Sequence, residues 1–301
     1  MAYRDLATLA WLAGWSFLGA QVPPPTLYVT NQHSNTLTVY NLADEQVATT
    51  LPITFNPLAM ATSPDQRTLY VTSATNNGLY VINRANHQIL TAVGVQFQPT
   101  AVAATATRIY VANSVSGTIS VLNAANFLVL AVVRVGFSPS ALALNADGSR
   151  LFAANFNAST VSVINTANNI VVGTTGVGQF PAAMVADATR VYVGNFGANT
   201  ISILDGAVGN AVGVIEVPVS PSAMALAANG TLYVATGDAP EIVAVNTANS
   251  QIGQRLRLPD CPTEKCGAHG LALSADGSRL YVAYSDANRV IGFNGVFTSL
   301  R

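Results

Sequence analysis

Few side chains in this sequence can do chemistry. Its 301 residues include three histidines, two cysteines, 14 acidic and 13 basic residues. An imidazole titrates near neutral pH, which makes His269 a candidate general base or ligand. His33 and His87 stand in turn-like stretches and read as solvated. Cys261 and Cys266, in Asp-Cys-Pro-Thr-Glu-Lys-Cys, are the only cysteines, and in an exported chain this spacing reads as a small disulfide loop. A zinc site normally wants four ligands, and only Asp260, Glu264 and His269 accompany the thiols, so no metal is expected. The chain has no P-loop, no Gly-x-Ser-x-Gly elbow, no His-Glu-x-x-His and no Cys-x-x-Cys-His. No cofactor is expected.

Charge is scarce as well. Only 9% of residues are charged, against roughly 25% in ordinary globular proteins. With 50% hydrophobic residues this deficit excludes disorder. Twelve arginines, a single lysine (Lys265) and no basic run argue against a protein that neutralises nucleic-acid phosphates. Leu6 to Ala20 is uncharged, follows Arg4 and ends before Pro23-Pro24-Pro25. That stretch is shorter than the roughly 20 residues a bilayer-spanning helix needs. Residues 1–20 therefore read as a signal peptide, and the chain as exported to the periplasm, cell surface or medium. The alternative is that Leu6–Trp11 is a strand of the folded domain.

The elements that must position these residues come from a repeat. Motif strands recur at Tyr28, Tyr70, Tyr110, Phe152, Tyr192, Tyr233 and Tyr281, at a period near 41; the cysteine loop lengthens the last interval. Each period holds four short strand signals: in one, Ser140–Asn145, Leu151–Asn155, Thr160–Asn165 and Ile170–Thr174. Four antiparallel strands per period predict an all-β, seven-bladed β-propeller over residues 21–301. The first strand of each period carries Ala or Gly at its second position (Ala59, Ala101, Ala141, Ala183, Ala223, Gly270), as a strand crowded at the axis requires. Seven motif strands face only six such inner strands. Leu6–Trp11, Val296–Leu300 or an incomplete first blade are the three ways to settle the count.

The tetrapeptide Tyr28-Val29-Thr30-Asn31 and its six variants resemble the YVTN-type β-propeller repeat family, across residues 26–294. The likeness includes the Asn or Asp that closes each third strand: Asn41, Asn83, Asn123, Asn165, Asp205, Asn246 and Asn294. It implies a propeller fold. Its functional range covers surface-layer components, periplasmic binding proteins and enzymes alike.

Within that fold, two faces differ in chemistry. Arg67, Arg108, Arg150, Arg190 and Arg279 precede motif strands on one face, where they are expected to link neighbouring blades. The other face carries Phe55, Phe97, Phe137 and Phe180 in blade-to-blade loops, with Phe156 and Phe196 just after the motif Asn. These rings either bind an apolar ligand or partner protein at the pore mouth, or plug the seams between blades. His269 aligns with Leu58, Thr100, Ser140, Ala182 and Ser222, so no second imidazole or carboxylate joins it at that level. The leading expectation is thus a non-catalytic scaffold that binds a protein or small molecule, or its own copies. Alternatives are a lactonase-, lyase- or quinoprotein-like enzyme centred on His269, and base stacking on single-stranded nucleic acid.

Overall fold

The structure, a computed structural model, describes residues 7–10, 26–259, 267–274, 276–284 and 289–294. Strands alone build it, apart from one 3-10 turn at Phe156–Ala158. Six sheets have four antiparallel strands in chain order, and the seventh has three among the described residues. In the fourth sheet these strands are Pro139–Leu144, Arg150–Asn155, Thr160–Asn165 and Ile170–Gly176. The seven inner strands each neighbour the next, and the ring closes between Ala268–Leu273 and Ala7–Ala10. This is a seven-bladed β-propeller, with blades numbered 1 to 7 in chain order.

Ala7–Ala10 pairs antiparallel with Thr26–Asn31, Ala10 standing opposite Tyr28. The first of the three ways to complete blade 1 is thus the one observed, and that strand falls inside the stretch with leader-like composition. The remainder of residues 1–20, the pair Cys261 and Cys266, and Val296–Leu300 lie outside the described residues.

Alternation along each motif strand welds the blades. In blade 4, Leu151 and Ala153 pack with Tyr110, Ile119 and Val121 of blade 3. Phe152 and Ala154 point the opposite way, onto Met184, Val191 and Leu204 of blade 5. Both faces of the strand are therefore buried, and each large apolar side chain so enclosed contributes about 1.5–3 kcal/mol. The last seam repeats the scheme, with Leu27 and Val29 against Tyr281 and Ala283. Arg279 pairs there with Glu45 at 2.6 Å, and Arg190 donates to the Thr247 carbonyl of blade 6 at 3.3 Å. Those two arginines do link blades, whereas Arg150 bonds the carbonyl of its own neighbour Ser149.

His87 corrects an expectation. It is half-buried, set edge-on to Tyr28 of blade 1 with ring centroids 6.0 Å apart and the Tyr28 hydroxyl 3.4 Å from its Nδ1. Burial and the nearby Arg84 guanidinium push its pKa down. A turn residue can reach the adjacent blade because blades stack side by side.

Candidate functional site

Proline opens five inner strands, at Pro57, Pro99, Pro139, Pro181 and Pro221. A first strand position tolerates the missing N–H. The register then slips by one residue: Pro139 stands opposite Asn155, but Ala141 opposite Ala154. The same slip occurs after Pro99, Pro181, Pro221 and Ala268. Thr100, Ser140, Ala182, Ser222 and His269 are therefore a ring of β-bulges, a device that re-aims a side chain.

The ring surrounds the mouth of a central cavity of about 560 Å³. Leu58, Thr100, Ser140, Ala182, Ser222 and His269 all line it, so the alignment of His269 with these positions holds in space. Its hydroxyls are already committed. Thr100 Oγ1 donates to the Pro139 carbonyl at 2.7 Å, Ser140 Oγ to Pro181 at 2.7 Å, and Ser222 Oγ to Ala268 at 2.6 Å. Each hydroxyl thus ties one blade to the next and offers the cavity only acceptor lone pairs. Gln32, also lining the cavity, keeps its amide nitrogen shielded from solvent and without a partner among the described residues. No carboxylate is among the described lining residues, and His269 is half-buried and already engaged. The described lining thus offers a bound molecule hydrogen-bond acceptors, one unpartnered amide and an imidazole, which suits a neutral, hydrogen-bonding ligand.

The phenylalanines sort into two groups. Phe55, Phe97 and Phe137 are 58%, 62% and 78% exposed, so they do not plug seams. Phe180 stacks on Phe156 with centroids 5.0 Å apart, and Phe156 lines the cavity. Phe196 is half-buried against Gly237, where a Cβ would lie 2.8 Å from its ring. The loops hold the exposed rings in restricted backbone: Phe55 (φ 62°) and Phe180 (φ 54°) are left-handed, as are Gln98 and Ser138 beside Phe97 and Phe137. A bulky residue in that region is uncommon and costs about 1–3 kcal/mol, and such residues cluster at binding sites.

One set of residues behind this face was not anticipated. The motif Asn is a buried clamp. Asn155 Nδ2 donates to Thr160 Oγ1 and Ser162 Oγ at 3.1 and 3.0 Å, and its Oδ1 accepts the Gly136 N–H at 3.1 Å. Asn31, Asn113 and Asn195 make the same pair of bonds to hydroxyls five and seven residues on. Where Asn is missing, at Ser73, Thr236 and Tyr284, the hydroxyl pair is missing too: the partners are Gly78 and Tyr80, Glu241 and Val243, Arg289 and Ile291. That covariation among repeats was readable in the letters.

On the opposite face, Asp187 organises a turn. Its carboxylate accepts the Thr189 and Arg190 N–H groups at 2.7 Å each and the Tyr192 hydroxyl at 2.9 Å. Partial burial alone would raise its pKa, but these donors outweigh it and hold it below 3.8. A depressed carboxyl pKa stabilises the fold above the unfolded value, and the gain fades as pH falls through the folded one. Asp187→Asn is therefore expected to lower the urea midpoint at pH 6. The gap to the wild type should close as the pH drops below 3.8. A gap independent of pH would refute the assignment.

Among the described residues no three His, Cys, Asp or Glu side chains converge to hold a metal, and no helix is long and apolar enough to cross a membrane. No family model matches the sequence, and no curated protein matches it. Solved structures do match. A chain of hydrazine synthase from Kuenenia stuttgartiensis superposes with a TM-score of 0.76 at 17% identity, over 94% of this chain and 99% of that one. A chain of a mitotic checkpoint complex superposes with a TM-score of 0.78 at 15% identity, over 90% and 84%. At such identities the likeness is one of architecture. It gives the class, a seven-bladed β-propeller, and propellers of this shape serve in an enzyme and in a protein complex alike.

Proposed function

We propose that this propeller is a non-catalytic binding scaffold that presents its Phe-bearing face to a partner, and that it is an exported member of the YVTN-type repeat group. The observation that carries the reading is the exposure of Phe55, Phe97 and Phe137 in the loops that lead into the inner strands, whose cavity has no carboxylate among its described lining residues. Aromatic side chains exposed on a rigid frame bind at low entropic cost, because little must be ordered on contact. Support for membership comes from the motif strands and the Asn clamp.

The test uses a peptide selected on the wild-type protein from a random display library. Phe97→Ser combined with Phe137→Ser should weaken that peptide's binding by about tenfold or more, as loss of aromatic anchors does. The melting temperature should stay unchanged, since both rings are exposed. Undiminished affinity with a folded double variant would discard the reading.

A further inference from the structure

The central cavity changes chemistry along its depth. At the mouth, hydrogen-bonding side chains arrive from separate blades: Gln32 from blade 1, Thr100 from blade 3, Ser140 from blade 4, Ser222 from blade 6 and His269 from blade 7. Leu58 and Ala182 hold the corresponding places in blades 2 and 5. Thr100, Ser140 and Ser222 have given their protons to backbone carbonyls and can only accept, whereas the Gln32 amide nitrogen has no partner among the described residues. Two residues further along the inner strands the lining turns apolar, with Val102, Leu142, Met184, Met224 and Leu271. A polar rim therefore surrounds an apolar floor. No Asp, Glu, Lys or Arg is among the described lining residues, so an ion held here would lose hydration without gaining a counter-charge.

An occupant that matches this grading is uncharged, carries hydrogen-bond donors around its whole perimeter and has an apolar flat face. A nucleobase has the flat face, but its donors lie along one edge, while the rim groups converge from blades on all sides of the axis. A pyranose ring meets every condition: its equatorial hydroxyls point outward all round, and its ring C–H bonds make an apolar face. We infer that the mouth binds a neutral pyranose sugar lying across it, an assignment that rests on the reading of this face as a binding surface. The hydroxyls donate to Thr100, Ser140 and Ser222 and accept from the Gln32 amide, while the C–H face lies over Met184 and Met224. The volume of about 560 Å³ falls within the roughly 300–1,000 Å³ of small-molecule sites. Anionic sugars and phosphosugars are excluded by the uncharged lining.

Saturation-transfer difference NMR on the full chain tests this directly. The probes are the methyl glycosides of glucose, galactose, mannose, xylose and N-acetylglucosamine at millimolar concentration, with glucuronate and adenosine as controls. At least one glycoside should give a signal, strongest at its ring C–H protons, and both controls should give none. Leu58→Trp and Ala182→Phe, in different blades, should each abolish that signal while keeping the wild-type circular dichroism spectrum, because either ring fills the mouth. Ala182→Ser, which copies Ser140 and Ser222, should retain it. Phe97→Ser combined with Phe137→Ser should leave the glycoside signal unchanged, so failure at the mouth and failure of the Phe-bearing surface are separate results. Silence from every glycoside, a signal that survives both blocking variants, or adenosine binding in place of the sugars would overturn the inference and leave the scaffold reading standing. So would a display-selected peptide that Ala182→Phe blocks and no glycoside displaces, since the mouth would then take a peptide side chain.

Discussion

Asn155→Ala should destabilise the propeller by about 3 kcal/mol, far beyond an ordinary surface change. Asn155 is fully buried, and the substitution strands three groups at once: the hydroxyls of Thr160 and Ser162 and the N–H of Gly136. Gly136 packs so closely on that side chain that a Cβ there would lie 2.6 Å from Asn155 Cγ, so the truncation also opens a void beside it. The melting temperature should fall by roughly 5 °C in a domain of this size. The decisive arm is a transplant. Blade 6 does without the clamp by carrying Thr236, Glu241 and Val243, the Thr236 hydroxyl turning back to the Ala239 and Glu241 carbonyls. Asn155→Thr with Thr160→Glu and Ser162→Val should therefore recover at least part of the loss, because the stranded hydroxyls go with the Asn. If the triple variant is less stable than Asn155→Ala, the Asn and its hydroxyl pair are not a coupled unit.

That coupling also shows where reading the letters stops. The motif strands were legible because burial on both faces demands apolar residues throughout, and seven copies at one period repeat the demand. The small residues at Ala101, Ala141 and Ala183 were legible for the same kind of reason: crowding at the axis acts on side-chain size. The bulge ring was not, because a one-residue slip leaves no chemical trace when the slipped residues are as different as Thr100, Ala182 and His269. Without the bulge, nothing in the sequence says that Thr100, Ser140 and Ser222 spend their donors on the next blade. The exposure of Phe97 and Phe137 was equally hidden, since a ring before Gln-Pro or Ser-Pro can turn inward or outward until the left-handed backbone at Gln98 and Ser138 fixes its direction. His87 was misread because its partner, Tyr28, lies 59 residues away in another blade.

A chain that starts at Gln21 should lose about 4 kcal/mol, and roughly 6 °C in melting temperature, relative to the full chain. The reason is the ladder at the hub. Ala7, Thr8, Leu9 and Ala10 stand opposite Asn31, Thr30, Val29 and Tyr28, and without them the backbone of Thr26–Asn31 has no inner neighbour. The inner strands Pro57–Thr62 and Ala268–Leu273 also lose the element between them, so the ring is cut at one place. Open rings expose strand edges and invite pairing with other chains, so the truncated protein should aggregate on heating where the full chain does not. A synthetic peptide of residues 5–12, added in excess, should restore part of the lost stability by supplying the strand in trans. The experiment bears on export as well, because cleavage after Ala20 would remove this strand from the exported protein. Equal stability of the two chains, with no response to the peptide, would mean that blade 1 folds without an inner strand, and the pairing of Ala7–Ala10 would then carry no structural weight.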